Sequence, residues 1–230
     1  MTRRRRFAQR KADLRRGLPR LPPSGHAFLI VTEGLKTEPN YLKALRQRLQ
    51  LSEVDVEIIH PSGTDPKTLT DKAMRLRDKR RHEAHKDSWL VDYDEVWVVF
   101  DLEAENHPRR QQAREAMDRN RTDTKGIRFA YSNPSFEYWL LLHETYTTAP
   151  FADSQAVKQR LKQYWKDYDK GETPSLEFIG KAPTAVTNAV RCRKHHASAP
   201  GGSGNPSTEV DKLVRSLNGA TRPHLQFQLV

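Results

Sequence analysis

Two apolar runs in this chain stop at carboxylates. Leu29-Ile30-Val31-Thr32 is followed by Glu33, and Val96-Trp97-Val98-Val99-Phe100 by Asp101. Glu103 stands two residues beyond Asp101, and Glu105 two further. In an extended segment residues i and i+2 point the same way, so Asp101 and Glu103 can present two carboxylates to one point. If the two runs are neighbouring strands, Glu33 joins them. Like charges held together take up protons unless a cation compensates. Mg²⁺ (or Mn²⁺) takes oxygen ligands, and Mg²⁺ keeps several waters and bridges carboxylates to phosphates. The chemistry that follows is metal-assisted attack on a phosphodiester. Each acid taken alone reads as a helix cap or a solvated loop residue; the joint placement at two strand ends is what points to metal.

Other chemistry-bearing residues carry less. Gly34-Leu35-Lys36-Thr37 has the ending of a P-loop but lacks the upstream glycine of G-x-x-x-x-G-K-[ST], which excludes that motif. Lys36 remains a candidate point contact to a phosphate, or a solvated lysine. The histidines of His82-Glu83-Ala84-His85 are three apart, not four, and suit a solvated helix face. His60 at a strand end reads mainly as a loop histidine. Cys192, His195 and His196 lack zinc spacing. Glu137 reads equally as an acid in a first helical turn, where the macrodipole favours it, or as a site member near a strand end.

The elements that position these residues alternate. His26 to Thr32 suits a strand buried on both faces. Thr37 to Leu49 predicts a helix capped by Thr37 or Glu38, with Pro39 in its first turn. Val54 to His60 alternates as a second strand, and the loop Pro61 to Pro66 follows. A charged helix spans about Lys67 to Lys86, with Leu69, Ala73, Leu76 and Arg77 inward. Strands at Val96 to Phe100 and Ile127 to Tyr131 flank a helix over Pro108 to Asn120. Asn133 is placed to cap an apolar helix starting at Pro134, whose Phe136, Trp139, Leu140 and His143 share a core-facing side. Right-handed crossovers turn this order into a Rossmann-like α/β three-layer sandwich around a mainly parallel sheet. Helices near Asp153 to Tyr168, Pro183 to His195 and Thr208 to Leu217 form a C-terminal extension packed on the core. The expected organisation is a basic, disordered arm over residues 1–24, a core over 25–150 and the extension over 151–230.

Composition bounds the rest. The chain has 230 residues and a formal net charge of +11, which favours a polyanionic partner through counterion release. Arg3, Arg4, Arg5 and Arg6 head the N-terminal arm and are candidate backbone contacts to nucleic acid. No run approaches the length of a membrane span, and the arm has no apolar core of a secretory signal. One cysteine excludes an internal disulfide framework, so a cytoplasmic location is expected.

Four pieces occur in order: Val-Thr-Glu-Gly-Leu-Lys-Thr-Glu-Pro-Asn-Tyr (31–41), Val-Val-Phe-Asp-Leu-Glu (98–103), Tyr-Ser-Asn-Pro-Ser-Phe-Glu-Tyr-Trp-Leu-Leu-Leu-His (131–143) and Asn-Pro-Ser-Thr-Glu-Val-Asp-Lys-Leu-Val (205–214). Together they resemble the RloB-like family, relatives of the abortive-infection protein AbiLii. The resemblance runs from about His26 to Leu217. It implies a Toprim-like core, a bacterial anti-phage role and a partner ATPase of the ABC/AAA type. It also implies that Glu33 acts as general acid or base or assists the metal, and that Asp101 and Glu103 bind Mg²⁺, with Glu105 as a further acid. This chain reads D-L-E where Toprim proteins read D-x-D; the longer glutamate still offers oxygen. The expectation is an Mg²⁺-dependent nuclease subunit acting on DNA or on RNA such as tRNA. The alternative is a non-catalytic nucleic-acid-binding or regulatory subunit of the ATPase.

Overall fold

The computed structural model describes residues 25–52, 56–60, 65–86, 90–102, 108–120, 126–169, 171–198 and 204–229. The N-terminal arm with Arg3 to Arg6, and Glu103 and Glu105, lie outside them. Five strands form one sheet: β1 (Phe28–Thr32), β2 (Val56–Ile59), β3 (Glu95–Asp101), β4 (Arg128–Asn133) and β5 (Ser207–Thr208), in the order β2-β1-β3-β4-β5. The first four are parallel and β5 is antiparallel to β4. β1 and β3 are direct neighbours with Thr32 opposite Val99, so Glu33 and Asp101 emerge at one edge. Every residue of β1 is buried, as its unbroken apolar run requires of a central parallel strand.

Helices cover both faces. α1 (Thr37–Arg48), α4 (Phe136–Leu141), α7 (Ala182–Ser198) and α8 (Val210–Ala220) supply the larger core, in which Tyr41, Tyr138, Trp139, Val186 and Leu213 meet Phe28 and Ile30. α5 (Ser154–Leu161) and the single turn α6 (Leu176–Gly180) close its rim with Val157 and Ile179. The opposite face is thinner. There α2 (Pro66–Ala84) and α3 (Pro108–Asn120) lay Leu69, Ala73 and Ala113 on Leu29, Val31, Val98 and Phe100. Fully burying one such aliphatic or aromatic side chain contributes roughly 1.5–3 kcal/mol, so the larger cluster dominates stability.

Several local expectations are corrected. Neither Thr37 nor Glu38 caps α1; Lys36 holds the cap position without a side-chain bond, and Thr37 and Glu38 are already helical. Asn133 does not cap α4; it ends β4, its Nδ2 donates to the Gly204 carbonyl at 2.8 Å, and Ser135 precedes the helix. The helix expected to Tyr168 stops at Leu161. The segment expected to begin a helix at Thr208 first adds β5, because Ser207 and Thr208 pair with Asn133 and Ser132. α8 then starts at Val210. The predicted packing of Phe136, Trp139, Leu140 and His143 is observed; all four are buried.

The last layer is tied down by a buried ion pair. Arg193 Nη1 and Nη2 donate to Asp211 Oδ1 and Oδ2 at 2.6 and 2.8 Å, and Asp211 is 1% exposed. Arg193 also donates to the Thr208 carbonyl, so one guanidinium joins α7, β5 and α8.

A buried acidic site at the carboxyl edge of the sheet

Glu33 leaves β1 with its strand geometry intact: its N–H donates to the Val99 carbonyl at 2.9 Å. Its Oε2 accepts the Asp101 N–H at 2.9 Å, which locks the end of β1 to the end of β3. Glu33 is buried and Asp101 half-buried. The two acids singled out in the sequence are therefore brought together, through side chain and backbone. Lys36 is exposed, and its side chain runs against Gly171 of the loop that follows α5.

Two further carboxylates share this place. Glu38, in the first turn of α1, folds back so that its Oε1 accepts the Gly34 N–H at 3.1 Å. A Cβ on residue 34 would lie 1.9 Å from Glu38 Oε2, so the glycine after Glu33 makes room for this carboxylate. Glu137, in the first turn of α4, accepts the Ser135 hydroxyl at 2.7 Å and the Tyr168 hydroxyl at 3.2 Å. Glu38 and Glu137 are almost fully buried. Burial first, then the charges of Glu137 and Glu33, push Glu38 up to about 7. Burial and the adjacent Glu137 hold Tyr168 well above the ordinary tyrosine range, so it remains a hydrogen-bond donor at neutral pH.

The sequence showed Glu38 only as a cap candidate and Glu137 only as one of two equal readings. Their convergence depends on β1 and β4 ending at one edge and on Tyr168 arriving from the C-terminal layer. The one local signal was Glu38 four residues after a glycine that itself follows a strand-end acid.

Among the described residues, the histidines play no part in this cluster. His143 accepts or donates to the Tyr41 hydroxyl at 3.2 Å and meets the Trp139 carbonyl at 3.0 Å; burial lowers its pKa to about 3 and keeps it neutral. His60, His82, His85 and His195 are exposed, and Cys192 is buried against Tyr138. A separate cavity of about 500 Å³, lined by Arg77, Arg81, Tyr93, Glu95 and Arg128, lies at the amino ends of β3 and β4, away from the acids.

The donor chemistry of the acidic site suits a hard divalent cation: every candidate ligand is oxygen, and the charge is concentrated and buried. Among the described residues, no three His, Cys, Asp or Glu side chains are grouped to enclose an ion. Glu33 and Asp101 are the described residues that would hold one.

The class so defined is an α/β protein with a mostly parallel sheet and an acidic cluster where its central strands end. The chain matches the RloB-like protein family over residues 28–217 and belongs to it. No curated protein and no solved structure gave a match.

Proposed function

We propose that this chain is a Toprim-like, Mg²⁺-dependent nuclease subunit of an anti-phage system, working beside a partner ATPase. The observation that carries the reading is the hydrogen bond between Glu33 and the Asp101 backbone, which sets two strand-end acids side by side in a cluster with Glu38 and Glu137. A divalent cation bound there would activate water and neutralise charge on the phosphate. Hydrolysis forms a bond from water oxygen to phosphorus, breaks the bond from phosphorus to the sugar oxygen and releases a proton. Glu33 accepts that proton or relays it. Asp101 and Glu33 would hold the cation, with Glu103 and Glu105 in the sequence that follows β3. Glu38, poised at about 7, sheds or keeps its proton at neutral pH and so adjusts the cluster's charge to what is bound. Tyr168 and Ser135 fix the Glu137 carboxylate by donating to it. Lys36 and Arg3 to Arg6 contact the backbone. Family membership supports the phage-defence setting and the ATPase partner.

A second reading, a nucleic-acid-binding or regulatory subunit without its own chemistry, is favoured by the spacing of the described acids, no three of which enclose one point. The two separate in one assay. The purified chain, alone and with its ATPase, is incubated with plasmid DNA and total tRNA in Mg²⁺, Mn²⁺ or chelator. The nuclease reading expects metal-dependent cutting, lost in Glu33→Gln and in Asp101→Asn with the fold intact. No cutting in any condition, with unchanged binding by both variants, leaves the second reading.

A further inference from the structure

The outer side of α2 carries a row of basic residues that the acidic site does not use. Lys72, Arg75, Lys79 and His82 follow one another at spacings of three and four, and all four are exposed. At 3.6 residues per turn such spacing draws a single stripe along one face. With a rise of 1.5 Å per residue the stripe is about 15 Å long. α2 as a whole holds Lys67, Lys72, Arg75, Arg77, Lys79, Arg80 and Arg81 against Asp71, Asp78 and Glu83. Two of the three acids are engaged within the helix: Arg77 Nε donates to Asp78 at 3.0 Å, and Lys79 lies 3.8 Å from Glu83 with both side chains well exposed. An exposed pair of that kind holds its lysine weakly. The inward side of α2 is spent on Leu69 and Ala73, which pack on the sheet.

We propose that this stripe is the track on which the sugar–phosphate backbone of a nucleic acid lies as it reaches the acidic site. The inference rests on the reading of the chain as acting on nucleic acid and gives that substrate a place and a direction. α2 follows β2, which is parallel to β1, so the helix begins at the edge where Glu33 and Asp101 lie and runs back along the sheet. Its Lys67 end is near the acids and its Ala84 end far from them. One strand of a duplex advances about 3.4 Å per phosphate, so a stripe of about 15 Å faces roughly four phosphates. An anionic membrane fits less well. The exposed positions of α2 are Lys67, Thr68, Lys72, Arg75, Asp78, Lys79, His82 and Glu83, with no apolar side chain to enter a bilayer.

The test is equilibrium binding in chelator, so that neither cutting nor metal enters. Full-length protein is titrated into a labelled duplex of about 20 base pairs, into tRNA and into vesicles of anionic lipid across a range of KCl concentrations. The variant Lys72→Gln/Arg75→Gln/Lys79→Gln is compared with Lys43→Gln/Lys162→Gln/Lys194→Gln, three exposed cations on elements of the opposite layer. Each lost phosphate contact lowers the slope of log K against log salt by about 0.9 on duplex DNA. The stripe variant is expected to lose about 2–3 from that slope and at least tenfold in affinity at 0.1 M salt, and the control less than 1. Equal losses in both variants, or no loss in either while wild type binds, overturn the track alone. A wild type that binds neither nucleic acid overturns the track and the nucleic-acid reading together. A wild type that prefers vesicles of anionic lipid overturns the choice of partner.

Discussion

Replacing Glu38 by glutamine isolates the electrostatic strain at the acidic site. Glutamine keeps the acceptor oxygen for the Gly34 N–H and nearly the same volume. It removes a charge that burial and the neighbouring Glu137 and Glu33 oppose. Burial pushes Glu38 up to about 7 from the ordinary carboxylate value near 4.5. Between these values the folded state binds more protons than the unfolded state, so the Glu38 contribution to stability falls as pH rises. Below pH 4.5 both states are protonated and nothing is lost; above pH 7 the whole cost is present. At 1.36 kcal/mol per pH unit the cost approaches about 3 kcal/mol. For a chain of this size that is a melting shift of about 6–12 °C. His143 has the opposite sign: with its pKa lowered from 6.5 to about 3, its contribution is lost as pH falls below 6.5. The pH profile of wild type alone therefore mixes the two, whereas the difference between Glu38→Gln and wild type cancels His143. Denaturation in chelator from pH 5 to pH 8.5 should show that difference growing in favour of the variant by about 2.5 kcal/mol, most of it between pH 5 and 7.5. A difference that is flat with pH refutes the claim that Glu38 is held near neutrality by its surroundings.

Three further outcomes follow from the same geometry. Gly34→Ala should displace the Glu38 carboxylate and destabilise the chain by about 1.5–3 kcal/mol, the worth of a hydrogen bond to a charged group. In a Glu38→Ala background the same change should be neutral or stabilising by up to about 1 kcal/mol, because the obstruction is gone and the unfolded chain loses freedom; chemical denaturation of the four proteins decides it. Asp211→Ala should cost about 3–5 kcal/mol by leaving the Arg193 guanidinium unpaired, read as a lowered denaturation midpoint. In the reverse sense, saturating Mn²⁺ at a hundredfold excess over its Kd should raise wild-type stability by about 2.7 kcal/mol, and the rise should vanish in Asp101→Asn.

The sequence carried the strands that position the site because their signal is local. β1, β3 and β4 are apolar runs, and Glu33 and Asp101 stand where those runs stop. Their adjacency is not local; it follows from β1 lying between β2 and β3, and only the strand order reveals it. Glu38 illustrates the limit best. A glutamate in a first helical turn is ordinary, and nothing in its neighbours shows that α4 brings Glu137 up to it or that Tyr168 closes the cluster. β5 was illegible for a similar reason: two residues, Ser207 and Thr208, have no periodicity, and it is the edge of β4 that makes them a strand. The stripe on α2 was written openly as Lys72, Arg75, Lys79 and His82, yet inward packing of Leu69 and Ala73 was the pattern that first defined the helix.

The central claim is that the carboxyl edge of β1 and β3 is a cation site, and Mn²⁺ titration calorimetry on the full chain tests it most directly. The account predicts a saturable site in wild type, accompanied by proton release near pH 7 from Glu38, and loss of that site in both Glu33→Gln and Asp101→Asn. Heats that are the same in wild type and both variants, or absent from all three, contradict it.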